Sequence, residues 1–251
     1  MGKPRMTGCA MPISALYRAK HAGRGVVRFF ESEIDLEDLA RSRLGNDLRS
    51  ALERQQFELA YQPIIDTHSG QPAAFQALIR WHHPENGLVL PEDLISIAEE
   101  AGLFNEIGLW VMETACREAA TWHGGDHICI NLSPAQFRQP DLERQIVSIL
   151  ERTGLPPHRS ALEVTEKLLL IQAEAVRRTM TALKQRGVRL VLDGFGAAHS
   201  SFSYLLSFPF SQIKIDKAPV SALGNDASAT AIIEAVLEMA RVMRLDVVAE
   251  G

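Results

Sequence analysis

The chain has 251 residues, 46% of them hydrophobic, and a formal charge of −5. That suffices for one large domain, alone or with a short appendage, and the acidic balance argues against a binder of DNA or RNA polymers, which shows a basic stripe. No apolar run approaches the roughly 18 residues of a membrane helix, and the first thirty residues lack the apolar core of a signal peptide. Cys9, Cys116 and Cys129 form no Cys-x-x-Cys pair and read as buried, reduced thiols rather than zinc ligands. A cytoplasmic location is expected.

Along the chain, residues 1–30 carry Lys3, Arg5, Arg18, Lys20, Arg24 and Arg28 but no acid. Ser14 to His21 reads as a short helix stopped by Gly23 and Gly25, and Val26 to Phe30 as a short strand. Glu31 to Gln55 reads as a helix with Leu44, Leu48 and Leu52 on one face. It is either packed on the next domain or a signalling linker or dimer seam. From there strands and helices alternate. Strand patterns stand at Phe57–Ile64, Pro72–Trp81, His127–Leu132, Ala161–Glu166, Arg189–Phe195, Gln212–Asp216 and Asp246–Glu250. Helical patterns stand at Pro91–Ala101, Asn105–Trp122, Asp141–Thr153, Gln172–Arg186 and Ala227–Met243. Apolar runs such as Leu190-Val191-Leu192 suit parallel strands covered on both faces. The alternation predicts an α/β barrel or a doubly wound sheet. No Gly-x-Gly-x-x-Gly turn follows the first strand, which weakens the second option.

Polar residues fall at matching places in successive strands. Asn131 follows Ile128–Ile130, Glu163 lies within Ala161–Thr165, and Asp193 follows Leu192. Lys214 stands between Ile213 and Ile215, and Glu250 follows Ala249. In an α/β barrel the chemistry sits at the C-terminal ends of the strands. Burying several carboxylates costs several kcal/mol per ion unless something neutralises them. A divalent cation does so, and Asp, Glu and an Asn carbonyl are the hard oxygen ligands that Mg²⁺ or Mn²⁺ prefers. Lys214 could balance charge or hold a water or a phosphate oxygen. A metal beside a phosphate ester points to hydrolysis by metal-activated water. The competing reading is a set of structural salt bridges.

These residues also lie in recognisable motifs. Tyr61-Gln-Pro-Ile64, Gln76-Ala-Leu-Ile-Arg-Trp81, Asn131-Leu-Ser-Pro134, Glu163-Val-Thr-Glu166, Asp193-Gly-Phe-Gly196, Ile213-Lys-Ile-Asp216 and Ala249-Glu-Gly251 occur in this order. Over Leu48 to Gly251 the chain resembles an EAL domain, the bacterial module that binds cyclic di-GMP and opens one phosphodiester bond to give the linear dinucleotide. The resemblance implies a (β/α)8 barrel of the triosephosphate isomerase (TIM) type with one strand reversed. It implies metal ligands at Asn131, Glu163, Asp193 and position 76, with Mg²⁺ or Mn²⁺ as cofactor. Lys214 matches the lysine near the hydrolytic water, and Glu250 an active-site carboxylate proposed as general base or metal-site partner. Glu166 matches a glutamate that steadies the loop after Asp193. Gln62, Leu78 and Arg80 match positions that contact the dinucleotide. The partners implied are cyclic di-GMP and a second copy of the chain. Ala15 to Arg24 resembles the last helix of a GGDEF, or diguanylate cyclase, domain. Residues 1–30 are thus expected to be the remnant of such a domain, 31–55 a helical linker and 56–251 the EAL domain.

Three departures bear on activity. The signature reads Gln76-Ala-Leu, so an uncharged amide replaces the motif's glutamate. The family's paired aspartates read Asp193-Gly194, which removes a ligand of the second metal. The next loop, Ala197-Ala-His-Ser200, also differs, with His199 a candidate substitute ligand. The resemblance further implies another strand and helix beyond Gly251, without which the barrel does not close. A weakened metal site is expected, and three functions compete: a degenerate module that binds the nucleotide or a protein partner without hydrolysis, a working metal-dependent phosphodiesterase, and a non-functional fragment of a GGDEF–EAL protein.

Overall fold

The structure, a computed structural model, describes residues 43–169, 173–196 and 202–250, with backbone only for Glu92, Ala173 and 202–204. The readings for residues 1–42, including the GGDEF tail, and for His199 lie outside the described residues. Helix α1 runs over 43–51. There follow strands β1 (Phe57–Ile65), β2 (Pro72–His83) and β3 (Gly87–Val89), then helices α2 (Pro91–Ala101) and α3 (Phe104–Ala120). After β4 (His127–Asn131) come α4 (Leu142–Thr153), β5 (Ser160–Thr165), α5 (Glu166–Leu169), α6 (Ala173–Gln185) and β6 (Arg189–Phe195). The chain continues through α7 (Phe202–Ser207), β7 (Gln212–Ile215), α8 (Lys217–Ser221), α9 (Ala227–Met243) and β8 (Asp246–Ala249).

The strands form one curled sheet in the order β1-β2-β4-β5-β6-β7-β8, with β3 on β2. β1 runs antiparallel to β2, and the steps from β2 to β8 are parallel. This is the barrel-type α/β architecture that the strand pattern predicts, with the first strand reversed. Among the described residues β1 and β8 do not pair with each other.

Alternation along the strands sorts the side chains. Outward-facing Ile128, Ile130, Leu162, Leu190 and Ile213 are at most 1% exposed and pack with the helices in the main core. Full burial of each such side chain stabilises by about 1.5–3 kcal/mol. Inward, small residues fill the floor: Cys129, Ala161 and Val191 pack with Ile64 and Ala74. Two residues further along β2, β5 and β6 stand Gln76, Glu163 and Asp193, so the polar groups occupy the layer above that floor.

A second core gathers Leu48 and Ala51 of α1 with Phe57, Trp81, Leu94 and Ile97. Trp81 Nε1 donates to Gln56 Oε1 at 3.1 Å. His83 is buried; its Nδ1 accepts from the backbone N–H groups of Glu85 and Asn86, both at 3.1 Å, while Nε2 faces Asp47 Oδ2 at 3.2 Å. The part of the expected linker helix that lies in α1 is therefore packed against the sheet.

Helix ends follow local chemistry. Pro91 opens α2, and Gly102, at φ 71, closes it in the left-handed conformation that glycine adopts freely. Two expected strand ends are helix starts instead. Glu166 opens α5, where the positive end of the helix favours a carboxylate. Asp216 caps α8, its Oδ1 accepting from the N–H of Ala218 at 2.8 Å. Among the described residues no helix is long and apolar enough to cross a membrane.

Candidate active site

At the C-terminal side of the sheet the inward polar residues converge on Lys214. Its side chain is 2% exposed, and Nζ lies 3.1 Å from Glu163 Oε2, 3.5 Å from Asp193 Oδ1 and 2.5 Å from Glu250 Oε1. Nζ also donates to Gln76 Oε1 at 3.2 Å, and Gln76 Nε2 donates to Glu163 Oε2 at 2.8 Å. β2, β5, β6 and β7 and the end of β8 each supply one group. The structure thus brings together Gln76, Glu163, Asp193, Lys214 and Glu250, five of the residues singled out from the sequence.

Electrostatics explains the arrangement. Burial disfavours the ammonium of Lys214, but Glu163, then Asp193 and Glu250, outweigh that and hold its pKa above the usual lysine value. Burial pushes Glu163 upward, Lys214 opposes the shift, and Asp193 adds to it. Asp193 is raised by burial, opposed by Lys214 and reinforced by Glu250. Three carboxylates against one ammonium leave a formal charge of −2. Glu163 Oε1 and Asp193 Oδ1 are buried without a hydrogen-bond partner among the described residues. Buried acceptors without donors are costly.

The other expected site residues stand around this cluster. Asn131 is exposed at the end of β4, beside Glu163 in register. Gln62 pairs with Gln76 across β1 and β2 and lines a cleft of about 540 Å³ together with Lys214, Lys217 and Glu250. Leu78 and Arg80 follow on the same face of β2, both half-buried. The Nη1 of Arg80 donates to the carbonyl of Ile79 at 3.0 Å. Glu166 Oε1 is buried without a hydrogen-bond partner among the described residues, and the 197–201 loop that the resemblance has it steady lies outside them. Gly194 has φ +71, and no atom of the described residues stands within 4 Å of where a Cβ would be.

Two features escaped the sequence reading. Cys129 lies below Glu163, its thiol pushed up to about 12 by burial and then by the Glu163 charge. It was read only as a buried thiol, since nothing in the sequence sets it beside a carboxylate. Gln136 reaches back to the turn after Asn131; the Ser133-x-x-Gln136 spacing was the signal that could have shown it.

Residues 45–251 match the family model for the EAL domain. The chain belongs to the EAL domain family. An "Uncharacterized signaling protein" of Caulobacter vibrioides is 43% identical over 94% of this chain, which spans 29% of that protein. The "Bifunctional diguanylate cyclase/cyclic di-GMP phosphodiesterase MucR" of Pseudomonas aeruginosa is 38% identical over 95% of this chain and 35% of its own length. Among solved structures, "PaMucR Phosphodiesterase, c-di-GMP complex" superposes with a TM-score of 0.78 at 38% identity, covering 83% of this chain and 86% of that one. The chain thus spans about a third of the curated relatives' length.

EAL domains are metal-dependent. Among the described residues no three His, Cys, Asp or Glu side chains form a ready cation cage; the carboxylates are spread around the Lys214 ammonium instead. The donor set nonetheless suits a hard cation. Glu163 Oε1 has no hydrogen-bond partner among the described residues, Asp193 Oδ1 meets the Lys214 ammonium only at 3.5 Å, and Asn131 stands beside Glu163 in register.

Proposed function

We propose that this EAL domain binds cyclic di-GMP at the mouth of its curled sheet and hydrolyses it slowly, acting as a nucleotide receptor. The observation that carries the reading is the pairing of Gln76 with both Lys214 and Glu163. A glutamate at 76 would add a fourth carboxylate to the three that already share the Lys214 ammonium, and a metal ion would be needed to offset the extra charge. The amide instead donates to Glu163 and accepts from Lys214, so this side of the cluster is satisfied without a metal.

In this reading Glu163, Asp193 and Asn131 hold one Mg²⁺ or Mn²⁺. A cation held there would supply Lewis-acid polarisation of the phosphate and a more acidic water. The chain's own groups do the rest. Lys214 Nζ orients a water or a phosphate oxygen. Glu250, in contact with Nζ, accepts a proton from the attacking water as that oxygen bonds to phosphorus and the bond to one ribose oxygen breaks, the departing oxygen taking a proton from solvent. Gln62, Leu78 and Arg80 line the approach and position the dinucleotide. Glu166 steadies the loop beyond Asp193. Gly194 supplies no carboxylate, so a second ion would lack a ligand and the two-metal clamp on attacking and leaving oxygens is incomplete. Pairing of two copies through the face that carries α7 belongs to the same reading, supported by Leu206, 78% exposed there.

The working-phosphodiesterase reading is favoured by one observation, the buried Glu163 Oε1, which has no hydrogen-bond partner among the described residues and which an ion would fill. Turnover of cyclic di-GMP with Mn²⁺ separates the two. The receptor reading expects the natural chain to make linear product at least about 10-fold more slowly than the pair Gln76→Glu with Gly194→Asp, the lower edge of what lost metal-site support costs. Equal rates would return the chain to the active enzymes.

A further inference from the structure

Gly108 is unusual for its place. It lies well inside the 17-residue helix α3 and its φ is not positive, so the backbone does not call for glycine. Glycine is among the weakest helix formers. What calls for it is Gln136. A Cβ on Gly108 would overlap the Gln136 amide, 2.9 Å from Cδ and 3.3 Å from Oε1. Gln136 is 1% exposed, so its amide has little room to swing aside.

That amide, laid against α3, serves the chain where it leaves β4. Gln136 Oε1 accepts from the N–H of Ser133 at 3.0 Å, and Ser133 Oγ accepts from the N–H of Gln136 at 3.3 Å. This is the reciprocal pairing of a capping box. One residue earlier, the N–H of Leu132 donates to the carbonyl of Glu163 at 2.8 Å. The turn that follows Asn131 is thus fixed at two consecutive residues, once by the metal-site strand and once by Gln136. Gln136 Nε2 has no hydrogen-bond partner, so the Oε1 bond is the polar contact its side chain makes among the described residues.

We infer that Gly108 and Gln136 are positioning residues for the mouth of the site. Gly108 leaves space for the amide, the amide holds the 131–136 turn, and the turn keeps Asn131 beside Glu163. The inference rests on the reading of Asn131 as a group that meets the bound ion and nucleotide. The test compares Gly108→Ala, Gln136→Ala, Gln136→Met and the double variant Gly108→Ala with Gln136→Ala. Two quantities are read: deuterium exchange of the 131–136 amides, and calorimetric affinity for cyclic di-GMP with Mn²⁺. Each single variant is expected to speed exchange at Ser133 and to weaken binding about 10-fold. The double variant is expected to be no worse than Gln136→Ala, because the clash and the lost bond are one event. Gln136→Met keeps the volume and removes the acceptor. Unchanged exchange in it overturns the inference, as does faster exchange with full affinity, or losses that multiply in the double variant. Should the natural chain bind no cyclic di-GMP, the proposed function fails, and the exchange pattern still decides whether these two residues hold the turn.

Discussion

Lys214 is the residue on which the interior depends. It is the ammonium that faces Glu163, Asp193 and Glu250, and its side chain is almost wholly buried. Removing one partner of a buried charged group leaves the others uncompensated, at about 3–5 kcal/mol. Lys214→Met is therefore expected to lower unfolding stability by that amount in metal-free buffer, measured by urea titration. A loss under about 1 kcal/mol, the range of an exposed pair, would contradict the buried network. The pH dependence has a definite sign. Burial raises Glu163 and Asp193 above ordinary carboxylates, so the folded chain binds more protons than the unfolded one. Their stabilising contribution is complete below the ordinary carboxylate pKa of about 4 and declines as pH rises through the raised folded values. Lys214 is raised as well, and its contribution persists until pH passes its folded value. Glu163→Gln removes the first term. Its melting temperature relative to the natural chain is expected to rise as the pH increases above the ordinary carboxylate value of about 4. A constant difference would show that Glu163 titrates alike in both states.

At the scale of elements, α1 is the informative case. Leu48 and Ala51 are 1% and 0% exposed against Trp81 and Leu94, and Asp47 meets the buried His83. Leu48→Ala is expected to cost about 2–5 kcal/mol, the range for a buried leucine. Chemical denaturation measures it, and an unchanged midpoint would mean that α1 rides on the domain without belonging to its core. The long elements were legible because their periodicity is strong. Pro91–Ala101 begins at its proline and is closed by Gly102, and Ala227–Met243 begins at its Asp226 cap, although Arg244 rather than a glycine closes it. The short ones were not. β3 is three residues on a Pro-Glu-Asn-Gly turn, and α5 and α8 begin at Glu166 and Asp216, whose carboxylates look equally plausible at a strand end. A helix start there is decided by backbone N–H groups that spacing alone does not reveal.

For the whole molecule, the site was legible because a barrel-type sheet turns alternate residues inward and stacks them in layers. Glu163 inside an apolar strand and Lys214 between two isoleucines could be reconciled only by a shared interior. The mutual pairing of Gln76, Glu163 and Lys214 was beyond the sequence, since it depends on side-chain reach across three strands. That pairing underlies the proposal that this EAL domain holds cyclic di-GMP at its mouth beside a weakened metal site. Calorimetric titration of the natural chain with cyclic di-GMP, with Mn²⁺ and again with a chelator, tests it most directly. Binding is expected in both, weaker without the metal. Absence of binding, or binding that requires Mn²⁺, would contradict it.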